Sequence, residues 1–97
     1  MSALDGYWAA YDATLARVRA ERPSTFAELK AILDGFRLAS SGDAFFPSQS
    51  ADDELSDALM DVGWRLHFID GGYVYEARNL LGVLQFEFVE GDLYDRT

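Results

Sequence analysis

The chain has 97 residues, 49% of them hydrophobic and 14% aromatic, which suits one domain with a real core and excludes a disordered composition. The absence of cysteine excludes disulfides, thiol catalysis and thiolate metal sites. The net charge of −9 disfavours nucleic acid and anionic membrane as partners and favours cationic ones.

The charge is unevenly spread. Residues 1–42 hold five acids and five bases, whereas residues 43–97 hold twelve acids and three bases, so the whole imbalance lies in the second half. Plain solubility is the simplest meaning of such a balance. No apolar run approaches the roughly 20 residues of a membrane span. The segment "MSALDGYWAAYD" has no basic region followed by an apolar stretch, so a cytoplasmic location is expected. Seven arginines against one lysine, Lys30, suit a GC-rich bacterial or phage genome.

The first helix is predicted over residues 4–21. Leu4, Trp8, Tyr11, Leu15 and Val18 recur at helical spacing on one stripe, and Tyr7 widens it. Pro23 closes it, because the residue before a proline avoids the helical region. A second helix is predicted over 25–36. Thr25 and Glu28 fit a capping box, and Phe26, Leu29, Ile32, Leu33 and Phe36 form the apolar face. Gly35 is expected to mark its end. The short proline turn between the two makes an antiparallel helical hairpin.

Residues 39–49, "ASSGDAFFPSQ", are predicted to form a loop. Phe45 and Phe46 would plug the core from it, or else offer an apolar anchor to a partner. A third helix follows over 51–62, with Ser50 as cap, Leu55, Ala58, Leu59 and Val62 inward, and Gly63 as a left-handed terminator. Its outward side is acidic. Asp53, Glu54, Asp57 and Asp61 fall within an arc of roughly 100° opposite the apolar face. Like charges four residues apart cost about 0.2–0.5 kcal/mol per pair. Asp52, Asp53 and Glu54 recover part of this at the positive end of the helix dipole, whereas Asp61 sits at the wrong end. No lysine or arginine lies within the helix.

Three strands are predicted at 64–69, 73–78 and 83–89, each alternating with period two. Trp64, Leu66 and Phe68 share a face with Tyr73, Tyr75, Ala77, Leu84, Phe86 and Phe88. The first hairpin can turn at Asp70-Gly71, pairing Arg65 with Glu76, or at Gly71-Gly72, setting Arg65 opposite Arg78. Opposite charges favour the first, which also places His67 opposite Val74. A four-residue loop from Asn79 to Gly82 keeps Tyr75 opposite Phe86, whereas a three-residue loop would turn one apolar set outward. The tail "EGDLYDRT" is expected to be a turn with Leu93 and Tyr94 docking it. The fold expected is therefore α+β in two layers, ordered α-α-α-β-β-β, with a three-stranded antiparallel meander packed on helices.

Few residues point to chemistry. His67 is the sole histidine and has no nucleophile nearby. Paired carboxylates are abundant, but a glycosidase needs two acids across a sugar-sized cleft. Neither "EGDLYDRT" nor "DGG" fits a calcium loop, and no glycine-rich phosphate loop precedes a helix. A winged-helix comparison fails on the roughly 14-residue gap between helices two and three and on the acidity of the third. No catalytic residue, metal or cofactor is expected. The function expected is a non-enzymatic interaction module whose acidic second half docks a basic protein surface. Asp53, Glu54, Asp57 and Asp61, with Phe45 and Phe46, are the candidate contacts. An inhibitor linked to phage or defence, an immunity protein or a small subunit of a larger complex would fit. The alternative is a self-associating structural subunit, through the sheet edge and the Phe45-Phe46 pair.

Overall fold

A computed structural model describes the backbone of residues 3–39, 52–70, 74–90 and 92–97, and the side chains of 6–36, 54–70, 74–90 and 92–97. Three helices, α1 (Ala3–Glu21), α2 (Phe26–Ala39) and α3 (Asp52–Asp61), precede four strands. These are β1 (Arg65–Asp70), β2 (Val74–Arg78), β3 (Leu84–Val89) and β4 (Asp92–Asp95), in one antiparallel sheet of order β1-β2-β3-β4. The α+β class stands, with one strand more than expected.

Each helix is built as its periodicity dictates. Tyr11, Leu15 and Val18 of α1 are buried, as are Phe26, Leu29, Ile32, Leu33 and Phe36 of α2. Leu55, Ala58 and Leu59 of α3, and Val62 just beyond it, join the same core. Trp8 departs from the stripe. It is 43% exposed and stands edge-on to Tyr7 and Tyr11, at 5.2 and 5.4 Å between ring centroids. Tyr7 takes the inward place and packs edge-on to Phe36 at 5.2 Å.

Helix ends follow local chemistry, with two amendments. The Glu28 amide donates to the Thr25 hydroxyl at 3.1 Å, as a capping box requires. The Glu28 carboxylate reaches one residue further back than expected and accepts from the Ser24 amide at 2.8 Å. Gly35 does not end α2. It faces α1, where a Cβ would stand 2.8 Å from the Arg17 guanidinium, and the helix runs on because Phe36 is buried within it. Gly63 does end α3. With φ of 93°, its amide donates to the Met60 carbonyl and the Trp64 amide to the Leu59 carbonyl, the paired bonds of a Schellman cap. The proposed Ser50 cap lies outside the described residues.

The sheet corrects the expected registers. Arg65 stands opposite Arg78, Leu66 opposite Ala77, His67 opposite Glu76 and Phe68 opposite Tyr75. The register chosen for its Arg65–Glu76 pair is therefore not formed. Both registers keep the apolar side inward, so the choice between them is not made by the alternation of the strands. The observed one lines Phe68, Tyr75 and Phe88 in one row across three strands, with ring centroids 5.4 and 4.7 Å apart. Aromatic pairs contribute about 0.5–1.5 kcal/mol beyond their area, against a few tenths to about 1 for two exposed like charges. His67 gains Glu76 as a neighbour at 3.3 Å.

The second hairpin uses the three-residue loop that parity argued against. The Asn79 amide donates to the Val83 carbonyl and Gly82 closes the turn onto the Asn79 carbonyl, with Gly82 at φ of 77°. Arg78 then faces Leu84, but Ala77 faces Phe86, so Gln85 is an extra residue in β3. This bulge returns Phe86 and Phe88 to the core and leaves Tyr75 opposite Phe88. It also puts Leu84 on the outer face beside Arg78.

The fourth strand comes from the supposed tail. Leu93 pairs with Phe88 and Tyr94 with Glu87, so Leu93 does dock against the core while Tyr94 lies on the outer face, 44% exposed. The turn into it takes Glu90 to φ of 50°. Arg96 lies over the Tyr94 ring and bonds the Glu87 carboxylate at 3.2 Å.

Candidate acidic docking site

The acidic side of α3 is set by its opposite side. Burying Leu55, Ala58, Leu59 and Val62 leaves Glu54, Asp57 and Asp61 in solvent. α3 packs against α1, which presents Asp12, Ala16 and Arg19 at four- and three-residue spacing. Between the two helices lies an open cleft of about 440 Å³, lined by Asp12, Leu15, Ala16, Arg19, Glu54 and Asp57.

Arg19 is the decisive neighbour. Its Nε donates to Asp61 at 2.9 Å. No base within the third helix neutralises its acid row, but one from α1 does. Asp61, the acid left unexplained by the helix dipole, thus has a tertiary partner 42 positions away. Both side chains stay about half exposed, at 45% and 59%, so the pair is screened and contributes at most about 1 kcal/mol. A double-mutant cycle on Arg19→Ala and Asp61→Ala, followed by urea unfolding, is expected to give a coupling below that value which vanishes in high salt. A larger, salt-resistant coupling would contradict this account.

The expected contact residues divide into three groups. Glu54 and Asp57 come together on the cleft with Asp12, a carboxylate on α1 that sequence periodicity did not single out. Asp61 is spent on Arg19. Asp53 lies in α3, but its side chain is outside the described residues, as are Phe45 and Phe46 entirely. Asp12, Ala16 and Arg19 stand at i, i+4 and i+7, so helical spacing could have grouped them on one stripe of α1, but only packing shows that this stripe faces α3.

Elsewhere the polar groups hold the fold. The Trp64 indole donates to the Pro23 carbonyl at 2.8 Å, Asn79 Nδ2 to the Ser24 carbonyl at 2.8 Å, and the Phe26 amide to Gln85 Oε1 at 2.9 Å. Three side chains, one from β3 and two from the ends that flank β1 and β2, thereby pin the α1–α2 turn. On the outer sheet face His67, Glu76, Glu87 and Tyr94 form one cross-strand row. Arg96 forms an ion pair with Glu87, and the His67 ring nitrogen lies 3.3 Å from the Glu76 carboxylate on the other side. Among the described residues no group of three or more His, Asp or Glu is placed to hold a metal ion. No described helix is long and apolar enough to cross a membrane. No family model, no curated protein and no solved structure matches the chain.

Proposed function

We propose that the protein is a non-enzymatic docking module whose α1–α3 cleft receives a basic side chain of a protein partner. The observation that supports this reading is the composition of the cleft. Among the described residues three exposed carboxylates, Asp12, Glu54 and Asp57, border it, and the cation of its described lining, Arg19, is already held by Asp61. Leu15 and Ala16 add an apolar part on which the stem of an arginine or lysine can lie. A cytoplasmic inhibitor or immunity protein acting on a basic partner fits this chemistry, as does a small subunit of a larger complex.

Titration with an oligo-arginine peptide tests it. Amide shifts are expected to concentrate around Asp12, Ala16, Glu54 and Asp57, and affinity to fall steeply with salt. The variant Asp53→Lys/Asp57→Lys should lose at least about tenfold in affinity, or 1.4 kcal/mol. Shifts scattered over all acidic surfaces, or an unaffected double variant, would sink the docking site. Self-association is a second reading, and the exposed β2–β3 hairpin favours it.

A further inference from the structure

Residues 77–86, "ARNLLGVLQF", contain no acid, although the second half of the chain holds twelve. They form the tip of the β2–β3 hairpin and its flanks. At that tip Leu81 is 85% exposed, Leu80 53% and Val83 52%. The tip is stiff as well as apolar. Asn79 Oδ1 accepts from the Leu81 and Val83 amides, both at 3.0 Å, and Asn79 Nδ2 ties the turn to Ser24. Leu81 and Val83 are therefore held in water by a pre-organised turn, while Leu80, half exposed, lies against Gly63, and this lowers the entropic cost of docking the tip.

Two cations flank the tip. Arg65 and Arg78 face each other on neighbouring strands, and neither forms an ion pair among the described residues. Among the described residues Arg78 donates to the Gly82 carbonyl, at 3.3 Å. An apolar knob beside two unpaired guanidiniums calls for an apolar hollow rimmed by carboxylates. The α1–α3 cleft has that chemistry, with Leu15 and Ala16 within and Asp12, Glu54 and Asp57 around it. No tip residue lines the cleft of its own molecule.

We propose that the cleft's partner is a second copy of this chain, with the Leu81 tip seated between α1 and α3 and Arg65 and Arg78 meeting the cleft carboxylates. This rests on the docking reading of the cleft and names its occupant. The two surfaces differ, so the contact is heterologous, and copies join head to tail into a ring or an open chain rather than a two-fold dimer.

Sedimentation velocity on wild type, Leu81→Asp and Asp57→Lys tests the pairing. Both substitutions lie at exposed positions, and circular dichroism checks that each variant folds. Wild type is expected to form oligomers as concentration rises. Each variant alone should remain a monomer, because one of its two surfaces is broken. An equimolar mixture should form a species of two chains and nothing larger, since only one intact tip and one intact cleft then meet. Asp57→Lys lowers the net negative charge and so weakens general repulsion, yet it is expected to abolish assembly. A wild type that stays monomeric at high micromolar concentration, a single variant that still assembles, or a mixture that stays monomeric would each overturn the pairing. If wild type is monomeric but oligo-arginine still shifts the α1–α3 amides, the self-pairing fails and the docking reading survives. If the peptide produces no localised shifts either, both fail.

Discussion

Truncating Trp64 to alanine is expected to lower the free energy of unfolding by about 3–5 kcal/mol, a large share of the roughly 5–15 kcal/mol available to a small domain. Trp64 is 3% exposed and sits where all the layers meet. It follows the Gly63 cap of α3, leads into β1, packs against Phe86 at 5.8 Å between centroids and donates its indole N–H to the Pro23 carbonyl. Truncation removes the packing and leaves both a cavity and a bare buried carbonyl. Trp64→Phe separates the two contributions. It keeps most of the apolar volume but not the hydrogen bond, so a smaller loss of about 1–3 kcal/mol is expected. Urea unfolding of the three proteins measures the difference. Equal losses in the two variants would mean that the hydrogen bond, not the packing, carries the effect.

Asn79→Ala is expected to cost about 2–3 kcal/mol, because one buried amide serves three backbone groups. Its Nδ2 satisfies the Ser24 carbonyl, and its Oδ1 satisfies the amides of Leu81 and Val83. No single partner can replace these together. Asn79→Asp keeps the acceptor oxygen for the turn but at neutral pH sets a buried carboxylate against the Ser24 carbonyl, so its loss should be at least as large as that of alanine and should shrink at acidic pH, where the protonated carboxyl can donate to Ser24. Thermal unfolding and hydrogen exchange at Leu81 and Val83 check both points. An alanine variant as stable as wild type, with unchanged protection of those amides, would show that the turn holds itself.

Much of the fold was legible because it rests on local rules. The apolar stripes of α2 and α3, the Thr25–Glu28 cap and the Gly63 terminator follow from helical spacing and from the hydrogen bonds that helix ends require. β4 was harder to read, since Asp92–Asp95 carries one half-buried apolar side chain, Leu93, and forms only because the edge of β3 offers it a backbone to pair with. The candidate site was half legible. Glu54 and Asp57 were marked by the wheel of α3, whereas Asp12 and Arg19 acquired meaning only from the packing of α1 against it.

What the sequence by itself determined is the three helices, the first three strands, most of their inward faces and the acidic side of α3, because each depends on neighbours within a few positions, whereas β4 depends on the edge of β3. Tertiary structure alone decided the strand registers, the Gln85 bulge and the fate of Asp61. Those depend on groups far apart in the chain: the Phe68–Tyr75–Phe88 row forms despite the Arg65–Arg78 juxtaposition, Gln85 is turned inward to meet the Phe26 amide, and Arg19 reaches Asp61 across two helices. Pairwise charge rules rank such alternatives by a few tenths of a kcal/mol up to about 1, which contacts of similar size between distant residues can offset.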